Sequence, residues 1–354
     1  MDAMLLFDAH LDLAMNALNW DRNLELDVYE IRRAEAGMGE KGRGRGTTSL
    51  PEMRKAELAV CLATVIDRTA RAGNPLPGSA CQEISYAKAQ GQLAYYRVLE
   101  AQGKARILED WPALEAHICA WRKKGMSEPL GVILSMEGAD PIVWPEQVGS
   151  WWEEGLRVIG PSHYGVSAYA HGTSTVGGLT DMGVVLLREM EELGMILDLT
   201  HLSEPAFWET LERYHGPVLA SHNNCRALVP GDRQFSDEQI RAIVGRGGVI
   251  GVALDAWMLY PGWVKGETPN TTVGLEAVAD QIDHICQVAG SVEYAGIGSD
   301  LDGGYGTEQC PHDLDTIADL QRIPALLRQR GYADAEIEAV MHGNWLRFFE
   351  RAWQ

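Results

Sequence analysis

The sequence predicts a (β/α)8 barrel of the TIM type, an α/β fold with helical insertions and extra C-terminal helices. Eight short, nearly continuous apolar runs alternate with amphipathic helical stretches, the pattern of βα units and a parallel sheet. The length, 354 residues, fits one barrel domain over 1–354 better than two average domains, because such barrels need about 250 residues and often carry insertions.

The runs are Leu5–Ala9, Ala59–Ile66, Leu130–Met136, Leu156–Ser162, Met195–Thr200, Pro217–Ser221, Gly248–Leu254 and Tyr294–Ser299. Most lack polar alternation, as expected of strands covered on both faces. Between them lie helical stretches such as Asp181–Leu193, Glu204–Tyr214 and Leu275–Val288. Ser236-Asp237-Glu238-Gln239 has the spacing of a capping box. Closing eight such units gives a barrel, and an open doubly wound sheet is the alternative. Residues 67–129 exceed a minimal unit and hold two long helical patterns, Ile84–Gln102 and Leu114–Lys123. Residues 312–354 add further helices. Arg43-Gly44-Arg45-Gly46 is expected to be a flexible loop.

The chain carries 50 acidic against 30 basic residues, a formal charge of -20. That balance argues against a nucleic-acid groove, which needs clustered cations to neutralise phosphates. No stretch reaches the roughly 18–20 apolar residues of a membrane span. Met1–Ala9 lacks a basic region and a long apolar run, so a secretory signal is not expected there. The last residues, Arg351-Ala352-Trp353-Gln354, carry no anchor signal. Six cysteines without CxxC spacing are expected to be reduced thiols, consistent with a cytoplasmic protein and against a thiolate metal site.

The chemistry sits at the strand ends. His10 and Asp12 follow the first run, Glu137 the third, His163 the fourth, His201 the fifth, His222 the sixth and Asp300 the eighth. In a barrel these ends converge on the face where active sites are built. Each is a weak signal alone: HxD is common, and a lone histidine is usually a hydrogen-bonded core residue. Together they point to a metal centre. In extended chain, residues i and i+2 face one way, so His10 and Asp12 can share one ion. His201 and His222 can hold a second, and Glu137 can bridge. Imidazole and carboxylate donors without thiolate suit zinc, at about 2.0–2.2 Å. A bridging water would then lose a proton near neutral pH and serve as the attacking hydroxide. His117, His215, His312 and His342 are expected to be structural or solvated. His171 is a weak candidate for touching substrate, and His284 is a packing or supporting residue.

The segments Asp8-Ala9-His10-Leu11-Asp12, Met136-Glu137-Gly138, Asp198-Leu199-Thr200-His201, Ala220-Ser221-His222 and Gly298-Ser299-Asp300-Leu301-Asp302-Gly303 resemble the membrane (renal) dipeptidase family of metallopeptidases. The closing Gly343-Asn344-Trp345-Leu346-Arg347 is similar to that family's C-terminal signature. The resemblance spans nearly the whole chain in order. It implies an amidohydrolase-like barrel with two zinc ions and activity on dipeptides, including some with a D-residue second. Position by position it implies that His10 and Asp12 bind one zinc, Glu137 bridges, and His201 and His222 bind the other. It implies Asp300 as catalytic acid/base, although strand parity alone does not separate Asp300 from Asp302. It implies His163 as support for the oxyanion and Arg233 as the holder of the substrate carboxylate, a task suited to a guanidinium fork.

Two departures bear on substrate. His163 follows Gly160-Pro161-Ser162 rather than a Thr-rich stretch, and Asp255 places an added carboxylate after the seventh run. The family's animal members are secreted and lipid-anchored, and neither signal is read here. A small peptide substrate is expected, with no nucleic-acid or membrane partner, and a homodimer is a reasonable expectation. Alternatives that keep the metal site are hydrolysis of a cyclic amide, lactone or N-acyl amino acid, and a non-catalytic metal-stabilised binding protein.

Overall fold

The computed structural model describes residues 4–354; the first three residues of the segment read as lacking a leader lie outside them. The strands are β1 (Leu6–Leu11), β2 (Leu58–Val65), β3 (Ala105–Ile107), β4 (Leu130–Glu137), β5 (Leu156–Gly160), β6 (Ile196–Asp198), β7 (Val218–Leu219), β8 (Ile250–Val252) and β9 (Ala295–Ile297). All pairings between them are parallel, in the order β7-β6-β5-β4-β2-β1-β9-β8. The ring closes between β7 and β8. Ala220 N–H donates to Val249 O at 3.0 Å, Gly251 N–H to Ala220 O at 2.9 Å, and Asn223 N–H to Gly251 O at 2.7 Å. The open-sheet alternative is thereby excluded.

Each of the eight apolar runs coincides with or overlaps a strand, because β1, β2 and β4 are buried along their whole length and must be apolar on both faces. A ninth strand was not foreseen. β3 is three residues within the insertion expected to be helical, too short for any periodicity to register, and it pairs only with Leu130–Val132 of β4. The helices Gln82–Ala101 and Trp111–Lys124 flank it. Helices Asp181–Leu193, Glu204–Arg213 and Glu276–Ala289 fall where the amphipathic pattern put them. The helix Asp237–Gly245 opens with both bonds of the Ser236–Gln239 capping box.

The loop 43–46 is not loose, contrary to the expectation from its Gly/Arg composition. Arg43 pairs with Glu35 at 3.0 Å, Gly44 N–H donates to Glu35 Oε2 at 2.7 Å, and Arg32 Nε to Gly46 O at 2.8 Å. Glu35 also takes the buried Arg22 guanidinium in a two-pronged pair at 2.7 and 3.0 Å. All six cysteines are free thiols. No helix among the described residues is long and apolar enough to cross a membrane.

Candidate metal centre

The site is assembled at the carboxyl ends of six strands. Just past those ends the backbone turns sharply, and at His201 (φ 68°), Asp300 (φ 56°) and Asp302 (φ 63°) it enters the left-handed region. Non-glycine residues hold that conformation only where the surroundings impose it, and such positions cluster at functional sites. After Glu137 the same turn falls on Gly138 (φ 81°), which has no Cβ to strain.

Glu137 stands at the centre. Its Oε1 is 3.1 Å from His201 Nε2, 3.2 Å from His222 Nε2 and 3.6 Å from His163 Nε2, and its Oε2 is 3.7 Å from His10 Nε2. His10 Nε2 also lies 3.8 Å from both Asp12 Oδ1 and Asp300 Oδ1. Three overlapping groups result: His10, Glu137 and His222; Glu137, His163 and His201; His10, Asp12 and Asp300. Within each, the ligand atoms lie within 4.8 Å of one another.

The hydrogen bonds behind these side chains set their protonation. Ser221 Oγ donates to Asp198 Oδ2 at 2.5 Å and stands 2.8 Å from His222 Nδ1. With its proton committed to the carboxylate, Ser221 accepts from Nδ1–H, which leaves His222 Nε2 as a bare lone pair. Thr173 Oγ1, 3.2 Å from His201 O and 3.0 Å from His201 Nδ1, allows the same arrangement. His201 Nε2 is 3.2 Å from His222 Nε2, so lone pairs converge on a carboxylate with no proton to share. His10 Nε2 is buried and has no hydrogen-bond partner among the described residues. A donor set of this kind fits divalent cations placed between its members.

Burial and charge act together here. Desolvation, then the neighbouring His222, holds His10 down at about 3. Burial, reinforced by Glu137, lifts Asp12 to about 7. Burial, followed by the charges of Asp12 and Glu137, drives Asp300 well above the ordinary carboxylate range. His163, His201 and His222 are held well below the usual imidazole value, in each case chiefly by burial.

A cavity of about 500 Å³ opens on this cluster, with Asp12, Glu137, His163, His201, Arg233 and Asp300 among its walls. Arg233 is 3% exposed, and its guanidinium donates to Asn223 Oδ1 and, at 2.8 Å, to His222 O. It forms no ion pair within 4.0 Å among the described residues. A buried cation fixed in place without a carboxylate is an anion site in waiting.

The structure separates the two aspartates that parity left together. Asp302 points away from the cavity and accepts Thr47 N–H and Oγ1 at 2.8 Å and Thr48 N–H at 3.0 Å, while Asp300 faces His10. Strand parity fails because the chain leaves the strand before either residue. Asp255 does line the cavity, but Gln309 Nε2 donates to it at 2.6 Å and it caps the short helix Ala256–Leu259. His171 is absent from the cavity walls; its ring packs on Gly177. His284 pairs with Asp237 at 2.8 Å on the outer helices.

Several supporting residues escaped the sequence reading. Asp8 accepts His10 N–H at 3.2 Å and Ser299 N–H at 2.8 Å, and Asp198 accepts Thr200 and Ser221 N–H, both at 3.0 Å. Thr64 Oγ1 donates to Asp12 Oδ1. Tyr164 stands edge-on to His163 and His201, with ring centroids 4.9 and 5.0 Å away. The signal for Asp8 and Asp198 was available, since they lie two residues before His10 and three before His201 in the quoted segments.

A closed parallel barrel with imidazoles and carboxylates gathered at its carboxyl rim defines an α/β-barrel metallohydrolase. The chain belongs to the membrane dipeptidase family (Peptidase family M19), whose description matches residues 1–354. It is 30% identical over 273 residues to an uncharacterized protein in the pqqA 5' region of Klebsiella pneumoniae, covering 74% of this chain and 95% of that one. It is 32% identical over 184 residues to Dipeptidase 3 of Rattus norvegicus, covering 52% of this chain but only 35% of that protein. Among solved structures, the dipeptidase AC, a family M19 metallopeptidase, matches with a TM-score of 0.83 at 25% identity over 99% of both chains. A metallopeptidase from Rhodobacter sphaeroides shares the fold, with a TM-score of 0.83 at 24% identity over 99% of this chain and 100% of that one.

Proposed function

We propose that this protein hydrolyses the amide bond of small dipeptides with a free C-terminal carboxylate, L-Xaa-D-Xaa among them, and that it works with two zinc ions. The observation that carries the reading is that the buried, unpaired Arg233 lines the same cavity as Glu137 and Asp300. The Rhodobacter sphaeroides neighbour was solved with a phosphinate mimic of the dipeptide L-Ala-D-Ala, which agrees with such a substrate here.

His10 and Asp12 would hold one ion, His201 and His222 the other, with Glu137 between them. Bound there, the ions supply Lewis-acid polarisation of the carbonyl and a water acidic enough to attack at neutral pH. Arg233 seats the terminal carboxylate with its two-pronged guanidinium. His163 faces the centre through Nε2, and its Nδ1 has no hydrogen-bond partner among the described residues, so nothing there draws the proton away from Nε2. From that position it donates to the oxygen that gains charge. Asp300, with its affinity for a proton raised by burial and by its acidic neighbours, collects the proton of the attacking water and delivers it to the leaving amine.

The test is a panel of L-Xaa-L-Xaa and L-Xaa-D-Xaa dipeptides assayed with added zinc and again after chelation. Hydrolysis that vanishes with chelator and returns with zinc is expected. Arg233→Ala should raise KM for free-carboxylate dipeptides far more than for amide-capped analogues. Metal-loaded protein that cleaves only cyclic amides, lactones or N-acyl amino acids, indifferent to Arg233, would overturn the reading.

A further inference from the structure

Two lysines at the mouth of the cavity are left unexplained by the hydrolytic machinery. Lys41 comes from the long connection between β1 and β2, and Lys265 from the connection between β8 and β9. They meet on a shared wall: both line the metal-side cavity, and both line an adjoining groove of about 660 Å³. Lys265 Nζ sits 4.5 Å from the centre of the Trp257 ring, and Lys41 Nζ sits 5.8 Å from that of Tyr305. Aromatic faces hold cations in place without neutralising them.

Neither ammonium forms an ion pair within 4.0 Å among the described residues. Acids outnumber bases 50 to 30 in this chain, so partners were available had the fold needed to neutralise these groups. Glu267 and Glu308 line the adjoining groove without pairing with either lysine within 4.0 Å, and Asp255 interacts with both charges through space. Its Oδ1, however, is taken by Gln309 Nε2 at 2.6 Å and by Trp257 N–H at 3.4 Å. The charge of Lys41 also opposes that of Lys265, so two like charges are kept together beside a substrate cavity. An arrangement that costs self-repulsion is explained if an anion arrives to relieve it.

The α-carboxylate of a dipeptide is already assigned to Arg233, so the anion must be another. Lys265 shares the cavity wall with Arg233 and Asp300, the groups assigned above to the terminal carboxylate and the leaving amine. Ammonium groups on flexible stems suit a mobile carboxylate, where Arg233 provides a fixed fork for the invariant one.

We infer that Lys41 and Lys265 form a second anion subsite that takes the side-chain carboxylate of the C-terminal residue, making dipeptides ending in Asp or Glu the preferred substrate class. This rests on the dipeptidase reading above. The experiment compares kcat/KM for L-Ala-Ala, L-Ala-Glu and L-Glu-Ala, with the second residue in both L and D forms, in the zinc-loaded full chain. L-Ala-Glu in one of its forms should exceed the matching L-Ala-Ala by about tenfold, the scale of two exposed ion pairs, while L-Glu-Ala gains nothing. The double variant Lys41→Ala/Lys265→Ala should bring the Glu/Ala ratio to about one through KM, and Lys265→Glu should push it below one.

Calorimetric binding of L-Ala-Glu and L-Ala-Ala to the Asp300→Asn protein, with and without the lysines, keeps the two readings apart. Hydrolysis of L-Ala-Ala reports on the dipeptidase reading, and the affinity ratio reports on the subsite whether or not turnover is seen. Equal affinity for the two dipeptides overturns the inference. So does a Glu preference that survives the double variant, or one that disappears in Arg68→Ala instead, since Arg68 lies elsewhere on the cavity wall.

Discussion

Asp300 shows how one residue would be fitted to the acid/base task proposed for it. Its left-handed backbone brings the carboxylate back over the rim, and a Cβ on Gly303 would lie 1.9 Å from Asp300 Oδ1, so glycine there leaves the carboxylate its place. Asp300→Asn keeps shape and volume but cannot carry the proton. Turnover should fall by about 10²–10⁴ while metal content by mass spectrometry stays near that of the parent; full activity in the variant would reassign the acid/base. His117 makes a contrasting case of a buried histidine with a purely structural duty. Nε2–H donates to Ala59 O at 2.8 Å, and Arg106 Nη1 stands 3.1 Å from Nδ1, which must therefore accept. Burial, and then the Arg106 charge, lowers its pKa below 6.5. The unfolded chain thus binds this proton more readily than the folded one, so the stability His117 provides is present above pH 6.5 and is lost as pH falls below it. The stability gap between parent and His117→Asn, from urea unfolding, should narrow between pH 7 and pH 5. A gap that widens on acidification would contradict this protonation state.

At the scale of elements, two strand ends use the same device. Asp8 at β1 and Asp198 at β6 each accept the N–H two residues on and an N–H from the neighbouring strand's end. Each carboxylate thereby stitches adjacent strands just beneath the rim. Through Ser221 the Asp198 carboxylate also fixes the ring of His222. Ser221→Ala should weaken zinc binding by about 10–100-fold, the usual effect of removing the partner of a ligating imidazole, as read by competition with a chromogenic chelator. An unchanged affinity would mean that packing alone orients His222. The strands themselves were legible because burial on both faces leaves an uninterrupted apolar run, and the helix starting at Ser236 because its cap is local in sequence. β3 was not legible, since three residues carry no period. Nor was the net around Arg22, which joins Glu35, Asn16 and, at 3.4 Å, Asp302. Those partners lie up to 280 positions from Arg22, and nothing local in the sequence announces them. The rim residues were legible as a set because a barrel turns strand order into spatial convergence, whereas the direction of Asp302 depended on a turn that no periodicity encodes.

For the whole molecule, the chemistry at the rim depends on how the barrel closes beside it. The seam is tight: a Cβ on Gly298 or Gly251 would lie 1.8 or 2.0 Å from Ser221 O, so only glycine lets β7, β8 and β9 meet. The C-terminal helix Asn344–Ala352 packs against β9 and β1. Asn344 Nδ2 donates to Val292 O and Ala295 O at 2.7 Å, and Trp345 Nε1 to Ile297 O at 3.1 Å. The Trp345 ring is fully buried against Phe7 of β1, with centroids 6.0 Å apart. The closing Asn-Trp of the sequence therefore reads as a structural latch on β1 and β9, whose upper ends carry His10 and Asp300. Trp345→Ala removes a large buried side chain and strands the Ile297 carbonyl. It should cost about 3–5 kcal/mol of unfolding free energy, measured by urea denaturation of the zinc-loaded protein. Trp345 is not among the cavity walls, so the kcat of the protein that remains folded should fall far less than in Asp300→Asn. A Trp345→Ala protein of undiminished stability but crippled turnover would instead show that the latch tunes the position of Asp300 through β9.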